Sequence, residues 1–383
     1  MKDVVISDKV MNIPPSGIRK FFDLILSMEG VISLGVGEPD FATPWHIRDV
    51  GIYSLEQGYT SYTSNAGLIE LRESIGERLS KDYGLTYSAQ DEILITVGVS
   101  EGLDLALRAI INPGDEVIIP EPCYVSYKPC TILVGGVPIP IATDKTKFKV
   151  CSEQIKKAIT DKTKAIVISY PSNPTGITMN QEELLEIAEV IKKHNLIVIS
   201  DEIYSLLTYE GKHTSFASLP GMRDRTILLD GFSKGYAMTG WRIGYAAANK
   251  EIIAAMTKIH QYTMLCASIM SQKAAIEALQ NGRIYAQEMI NEYNQRRRVI
   301  VKGLNEIGLK CDMPGGAFYA FPSIKATGLS SEKFAERLLF EEKVAVVPGN
   351  VFGNCGEGYI RCSYATSLEK IEEALERIRN FVR

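Results

Sequence analysis

Four histidines in 383 residues leave little from which to build a metal centre or a histidine-based triad. His46, His194, His213 and His260 are scattered, and no two have the spacing of metal ligands. The seven cysteines (Cys123, Cys130, Cys151, Cys266, Cys311, Cys355 and Cys362) include no C-x-x-C pair and are odd in number. That usage fits reduced thiols in a cytoplasmic protein better than a disulfide framework. No apolar run is long enough to span a bilayer. The opening stretch MKDVVISDKVMNIPPSG has neither an apolar core nor a cleavage site, so no export signal is expected. Formal net charge is -4, from 42 basic and 46 acidic residues, which argues against a broad nucleic-acid surface. The glycine-containing loops spell neither G-x-x-x-x-G-K-[ST] nor G-x-G-x-x-G, so no P-loop or dinucleotide fingerprint is present. Internal repeats and low-complexity stretches are missing as well.

What is present is an ordinary globular composition, 45% hydrophobic and 23% charged, in a chain long enough for two domains. Short apolar runs end in turn-formers or polar residues: Glu92 to Val97 before Gly98, Asp115 to Ile119 before Pro120, Lys164 to Tyr170 before Pro171, Leu196 to Ser200 before Asp201, and Thr226 to Leu229 before Asp230. Near-continuous apolar strands predict a sheet buried on both faces and hence mostly parallel. Helical patterns separate them. One runs from Ser100 to Ile111, and another from Gln181 to His194 with its acids first and its bases last, as the helix dipole favours. The sum is an α/β fold with helices on both faces. A long charged helix over 285–307 leaves this layer, and an amphipathic helix over 367–382 closes the chain. The domains expected are a large one over 45–290 and a small one from 1–44 with 291–383, the first part carrying one helix over 17–28.

Ligands of open α/β sheets bind at the carboxyl ends of the strands. Gly98, Ser100, Tyr124, Asn173, Asp201, Tyr204, Ser233 and Lys234 all fall there. Each has a plain reading beside a functional one. Lys234 is either a surface cation with a snorkelling stem or, hemmed in by Phe232 and Tyr236, a desolvated amine able to act as a nucleophile. Asp201 is a helix cap, a structural ion-pair partner, or an acid that keeps a ring nitrogen protonated. Tyr204 shares its face if the segment turns helically, and otherwise packs. The Val99 and Ser100 amides either open a capped helix or hold a phosphate. Arg242 makes a structural salt bridge or binds that phosphate bidentately.

Taken together the motifs resemble class I/II aminotransferases, the fold-type I pyridoxal phosphate enzymes. The resemblance rests on YPSNPTG (170–176), SDEIY (200–204), GFSKGYAMTGWRIG (231–244) and GYIRCSYA (358–365). ISLGVGEPDFATP (32–44), TSYTSNAGLIELR (60–72), GGAFYAFP (315–322) and VAVVPGNVFG (344–353) extend it over nearly the whole chain. The nearest subgroups are bacterial and archaeal aspartate, aromatic and N-acetyl-diaminopimelate aminotransferases. The resemblance implies a mostly parallel seven-stranded sheet sandwiched by helices, plus a smaller α/β domain. It implies pyridoxal 5′-phosphate as cofactor, no metal, and a homodimer with shared active sites. Lys234 would hold the cofactor as an imine and shuttle the substrate proton. Asp201 would pair with the ring nitrogen, Asn173 and Tyr204 with the ring's phenolic oxygen, and Tyr124 would stack on the ring. Val99, Ser100 and Arg242 would bind the phosphate, with Tyr62 reaching over from the neighbouring subunit. Arg361 would clamp the substrate α-carboxylate, helped by the Gly37 backbone. Asn173-Pro174 is expected to be cis, aiming the asparagine at the ring.

Two positions depart from the family's pattern. Many relatives carry a phosphate-binding serine where Gly231 stands here, which leaves Ser233 to take over that contact or merely to pack. Ser100 stands where one aspartate-specific subgroup has a lysine for the substrate's second carboxylate. The expected reaction is transfer of an amino group from an L-amino acid, aspartate or aromatic, to 2-oxoglutarate, with Ile18 and Tyr319 among the pocket positions that select the donor. The rivals are a C–S β-lyase using the same cofactor and a cofactor-binding regulator without turnover. No partnership with nucleic acid or membrane is expected.

Overall fold

The computed structural model describes residues 6–11, 13–14 and 28–383. Ile18, and all but Met28 of the helix expected over 17–28, lie outside them. Strands are numbered β1 to β12 along the chain, starting at Ile32–Ser33 (β1).

A seven-stranded sheet forms the frame. Its members are β2 (Ile93–Thr96), β3 (Glu116–Glu121), β4 (Val137–Ala142), β5 (Thr163–Ile168), β6 (Ile197–Asp201), β7 (Thr226–Gly231) and β8 (Gly244–Ala247). The order is β2-β8-β7-β6-β5-β3-β4. β8 runs antiparallel to both its neighbours and the other pairs are parallel. The apolar runs predicted as strands are β2, β3, β5, β6 and β7, and their side chains are nearly all buried, as helices on both faces demand.

Two strands did not stand out in the sequence. β4 contains Pro138 and Pro140, which withhold ladder donors, and it can carry them because it lies at the sheet edge. β8 is the short run just after Arg242, held between β2 and β7.

Capping fixes where helices begin. The Asn180 side chain accepts a hydrogen bond from the Glu183 amide at 2.8 Å, and the Glu183 carboxylate accepts one from the Asn180 amide at 2.8 Å. This reciprocal box starts the Gln181–Lys193 helix. The helix expected from Ser100 begins two residues earlier, at Gly98, and ends at Ile110.

The remaining strands gather elsewhere. β11 (Val347–Pro348), β12 (Ile360–Ser363) and β9 (Tyr319–Ala320) make an antiparallel sheet in the order β11-β12-β9. β1 pairs in parallel with β10 (Val344–Ala345). The Arg283–Ile307 and Leu368–Val382 helices share one apolar cluster with Ile32, Leu34, Tyr319 and Ile360. Gly303 lets those two helices meet, since a Cβ there would stand 2.5 Å from Leu375 Cδ1. Among the described residues no helix is long and apolar enough to cross a membrane.

Candidate active site

β2, β3, β5, β6 and β7 all point their carboxyl ends at one cavity of about 560 Å³, a size suited to a small organic ligand. Its walls include Val99, Ser100, Tyr124, Asn173, Asp201, Tyr204, Ser233, Lys234 and Arg242 from these ends. Gly37, Tyr319 and Arg361 close it from the side of the smaller sheets. Of the site residues named from sequence, Gly98 and Tyr62 are not in this wall, Ile18 lies outside the described residues, and Tyr62 is 83% exposed.

Lys234 sits three residues past the end of β7 and is half-buried. Its Nζ donates to the Gly37 carbonyl at 2.7 Å. Burial above all, together with the Arg361 and Arg242 cations, lowers its pKa to about 8 against the opposing pull of Glu38. A surface cation it is not. The turn before it is anchored underneath, where Asp230 accepts from Arg78 at 3.0 Å and from the Gly231 amide at 2.6 Å.

Asp201 ends β6 and is buried. Its carboxylate accepts from the Tyr127 hydroxyl at 2.7 Å and from the Ile203 amide at 3.3 Å. Among the described residues no cation pairs with it, and no helix starts on it. Burial pushes its pKa up to about 6, with the two hydrogen bonds pulling the other way. Of the three readings open to Asp201, the cap and the ion pair are therefore not what the fold builds. Tyr127 went unread in the sequence. Its place three residues after Tyr124, at the start of the Tyr127–Leu133 helix, is a local signal that only the fold connects to Asp201.

Residues 203–206 form turns rather than the helix that would have given Asp201 and Tyr204 a common face. Tyr204 reaches the cavity regardless, and its hydroxyl shares a 2.7 Å hydrogen bond with that of Tyr319. Asn173-Pro174 is cis.

Arg361 lies in β12, nearly fully buried. It donates to Asn173 Oδ1 at 2.9 Å and to the Gly35 carbonyl at 2.7 Å, and its guanidinium lies 4.5 Å from the Tyr319 ring centre. Nε is buried without a partner, and no carboxylate among the described residues pairs with the group. Arg242 is exposed and likewise makes no ion pair there; it donates to the Thr239 carbonyl at 3.1 Å. It leans on Gly98, where a Cβ would stand 2.8 Å from its Nη2. Gly98 has φ +75, so both conformation and room require glycine. The Val99 and Ser100 amides follow in the first turn of the helix, where N–H groups have no intrahelical acceptor.

Gly231 lies in a tight crossing of two strands. A Cβ at this position would stand 3.0 Å from Gly244 Cα and 3.1 Å from the Ile243 carbonyl, so two backbones meet where the side chain would go. Ser233 is buried in the cavity wall instead.

The cavity thus joins the Asp201 carboxylate, one amine with a lowered pKa, and two arginines that lack carboxylate partners among the described residues. Residues 29–378 match the family model described as aminotransferase class I and II. YugH of Bacillus subtilis (strain 168), an aminotransferase by assignment, is 59% identical over 98% of both chains. An aspartate aminotransferase of Pyrococcus abyssi (strain GE5 / Orsay) is 47% identical over 99% of both. The structure of an aromatic aminotransferase from Pyrococcus horikoshii OT3 superposes with a TM-score of 0.90 at 46% identity, covering 95% of this chain and 98% of that one.

Proposed function

Because this chain belongs to the class I and II aminotransferase family, we propose that it moves the amino group of an L-amino acid to 2-oxoglutarate with pyridoxal 5′-phosphate held in the cavity. Aspartate and aromatic amino acids are the donors we put first, after the relatives just named. The observation that carries the reading is Asp201. A buried carboxylate without a cation is costly, and a protonated ring nitrogen is the cation it lacks.

When bound, pyridoxal 5′-phosphate supplies an aldehyde that an amine can capture and a ring that draws off the electron pair left at the substrate Cα. Lys234 is the amine, and its Nζ takes the Cα proton and returns it during transfer. Asp201 stays ionised beside the ring nitrogen and keeps a proton there. Asn173 and Tyr204 hold the phenolic oxygen, and Tyr124 covers one face of the ring. Val99, Ser100, Ser233 and Arg242 take the phosphate. Arg361, with the Gly37 backbone, takes the substrate α-carboxylate, and its planar fork fixes the orientation that presents Cα–H to Lys234.

The active unit we propose is a homodimer. Trp45, Ile52, Leu55 and Tyr62 are all more than half exposed, and so are Tyr262 and Met264. In that dimer these side chains would be buried against the second copy. Tyr62 is assigned to the phosphate of the neighbouring subunit. We divide the chain into a large cofactor-binding domain over 45–290 and a small domain from 1–44 with 291–383. We place the protein in the cytoplasm, where its seven free thiols stay reduced.

Mixing the purified enzyme with single amino acids tests the reaction. Aspartate or an aromatic amino acid should bleach the cofactor absorption and release its 2-oxo acid, and 2-oxoglutarate should restore the absorption. Pyruvate and ammonia formed from cystathionine without any 2-oxo acid would instead mark a C–S lyase.

Two substitutions probe the assignments. Arg361→Ala should lower kcat/KM by about 10–100-fold, mostly through KM, as expected for one lost charge-assisted contact. Steady-state kinetics with the best donor checks this. Tyr127→Phe removes a donor that favours the ionised form of Asp201. The carboxylate should then protonate at a higher pH, moving the acid limb of the kcat/KM profile up by about one unit.

A further inference from the structure

Behind the Val97–Ser100 turn lies a pair of buried side chains with no task in the reaction described above. Glu101 stands in the first turn of the Gly98–Ile110 helix. Its Oε2 accepts the Val97 amide at 2.5 Å, and its Oε1 meets His260 Nδ1 at 2.6 Å. His260 comes from another helix, Lys250–Thr263, and is fully buried. A carboxylate only accepts hydrogen bonds, so Nδ1 carries the proton and donates. Nε2 is buried with no partner. Among the described residues, the only hydrogen bond made by the ring of His260 therefore goes to Glu101.

That placement matters because free amides at a helix N-terminus attract any anion in reach. Two anions compete for this one. The first is the Glu101 carboxylate, already on Val97 N–H. The second is the phosphate assigned to Val99, Ser100 and Arg242. His260 grips one carboxylate oxygen from the far side, so the other oxygen can serve Val97 alone. Thr96 Oγ1 steadies the same turn by donating to the Gly98 carbonyl at 2.9 Å.

We propose that His260 is a positioning residue for cofactor binding: it fastens Glu101 so that this carboxylate shapes the turn and leaves the Val99 and Ser100 amides to the phosphate. The inference rests on the reading that the cavity takes pyridoxal 5′-phosphate by that phosphate. Without His260, the carboxylate loses a buried hydrogen bond and is free to turn onto the amides. Removing its charge as well should then restore the site.

The test titrates cofactor-free protein with pyridoxal 5′-phosphate and, separately, with pyridoxal, which lacks the phosphate. The proteins compared are the native chain, His260→Leu, His260→Asn and the double variant His260→Leu/Glu101→Gln. In His260→Leu the dissociation constant for pyridoxal 5′-phosphate should rise about tenfold or more while that for pyridoxal moves less than about twofold, the scale of one lost hydrogen bond to a charged group. His260→Asn, whose amide nitrogen stands near the place of Nδ1, should bind like the native chain. The double variant should regain most of the lost affinity, because an amide oxygen still accepts from Val97 without a competing charge. Equal weakening for both ligands, no weakening, or no recovery in the double variant would each overturn the inference while the functional reading stands. A native protein that binds pyridoxal as tightly as its phosphate would overturn both. If His260→Leu does not fold, His260→Met fills the space with a more adaptable side chain and replaces it in both the single and the double variant.

Discussion

Lys234→Ala should give a folded protein that has lost amino-group transfer by about 10⁴-fold or more, the upper range for removing a positioned base. Among the residues walling the cavity, Lys234 is the only lysine. No neighbour can replace an amine that both captures an aldehyde and carries a proton. The fold should survive, because Nζ makes one hydrogen bond, to the Gly37 carbonyl, and burial already disfavours its charge. Single-turnover assays with the best donor measure the loss, and calorimetry measures the fold. The pKa of about 8 adds a pH dependence. Only the neutral amine attacks an aldehyde. Attachment of pyridoxal 5′-phosphate to cofactor-free native protein should therefore speed up as pH rises toward about 8 and level off above it. Stopped-flow absorbance follows this directly.

Asp201→Asn should lower turnover by about 10²–10³-fold, the range for losing one preorganised electrostatic partner in a dry site. The same change should stabilise the cofactor-free protein at neutral pH. The pKa of Asp201 is raised from 3.8 to about 6 by burial. The stability that goes with its protonated form is fully present below about pH 4 and is lost as pH rises through about 6. Asparagine keeps an acceptor for Tyr127 and carries no charge to desolvate. Above pH 6 the variant should gain about 1–3 kcal/mol over native cofactor-free protein, from 1.36 kcal/mol per pKa unit, and the gain should vanish near pH 4. Urea denaturation at several pH values checks both ends. A residue that weakens the empty fold while raising turnover is the signature of a group kept for chemistry.

Much of this was legible before any coordinates. β2, β3, β5, β6 and β7 show as apolar runs because both faces of the sheet are buried, and their polar ends mark the cavity in advance. Lys234, Asp201, Asn173 and Arg361 stand in long ordered motifs, and the fold brings all four into one wall. What stayed hidden depends on edges and on side-chain reach. β4 does not show as an apolar run because prolines interrupt it, and an edge position tolerates them. Nothing in the sequence ties Tyr127 to Asp201, on whose carboxylate its hydroxyl is found. The tight contact at Gly231 involves Gly244, thirteen positions on across a strand pair, which no local pattern displays. His260 and Glu101 are 159 positions apart, so their pairing is visible only in three dimensions.

The measurement closest to the centre of the account is chemical. Native protein incubated with pyridoxal 5′-phosphate, reduced with borohydride and digested should yield one modified peptide, with the reduced cofactor on Lys234. An adduct on a different lysine, or none at all from a protein that stays colourless, would contradict the account at its root.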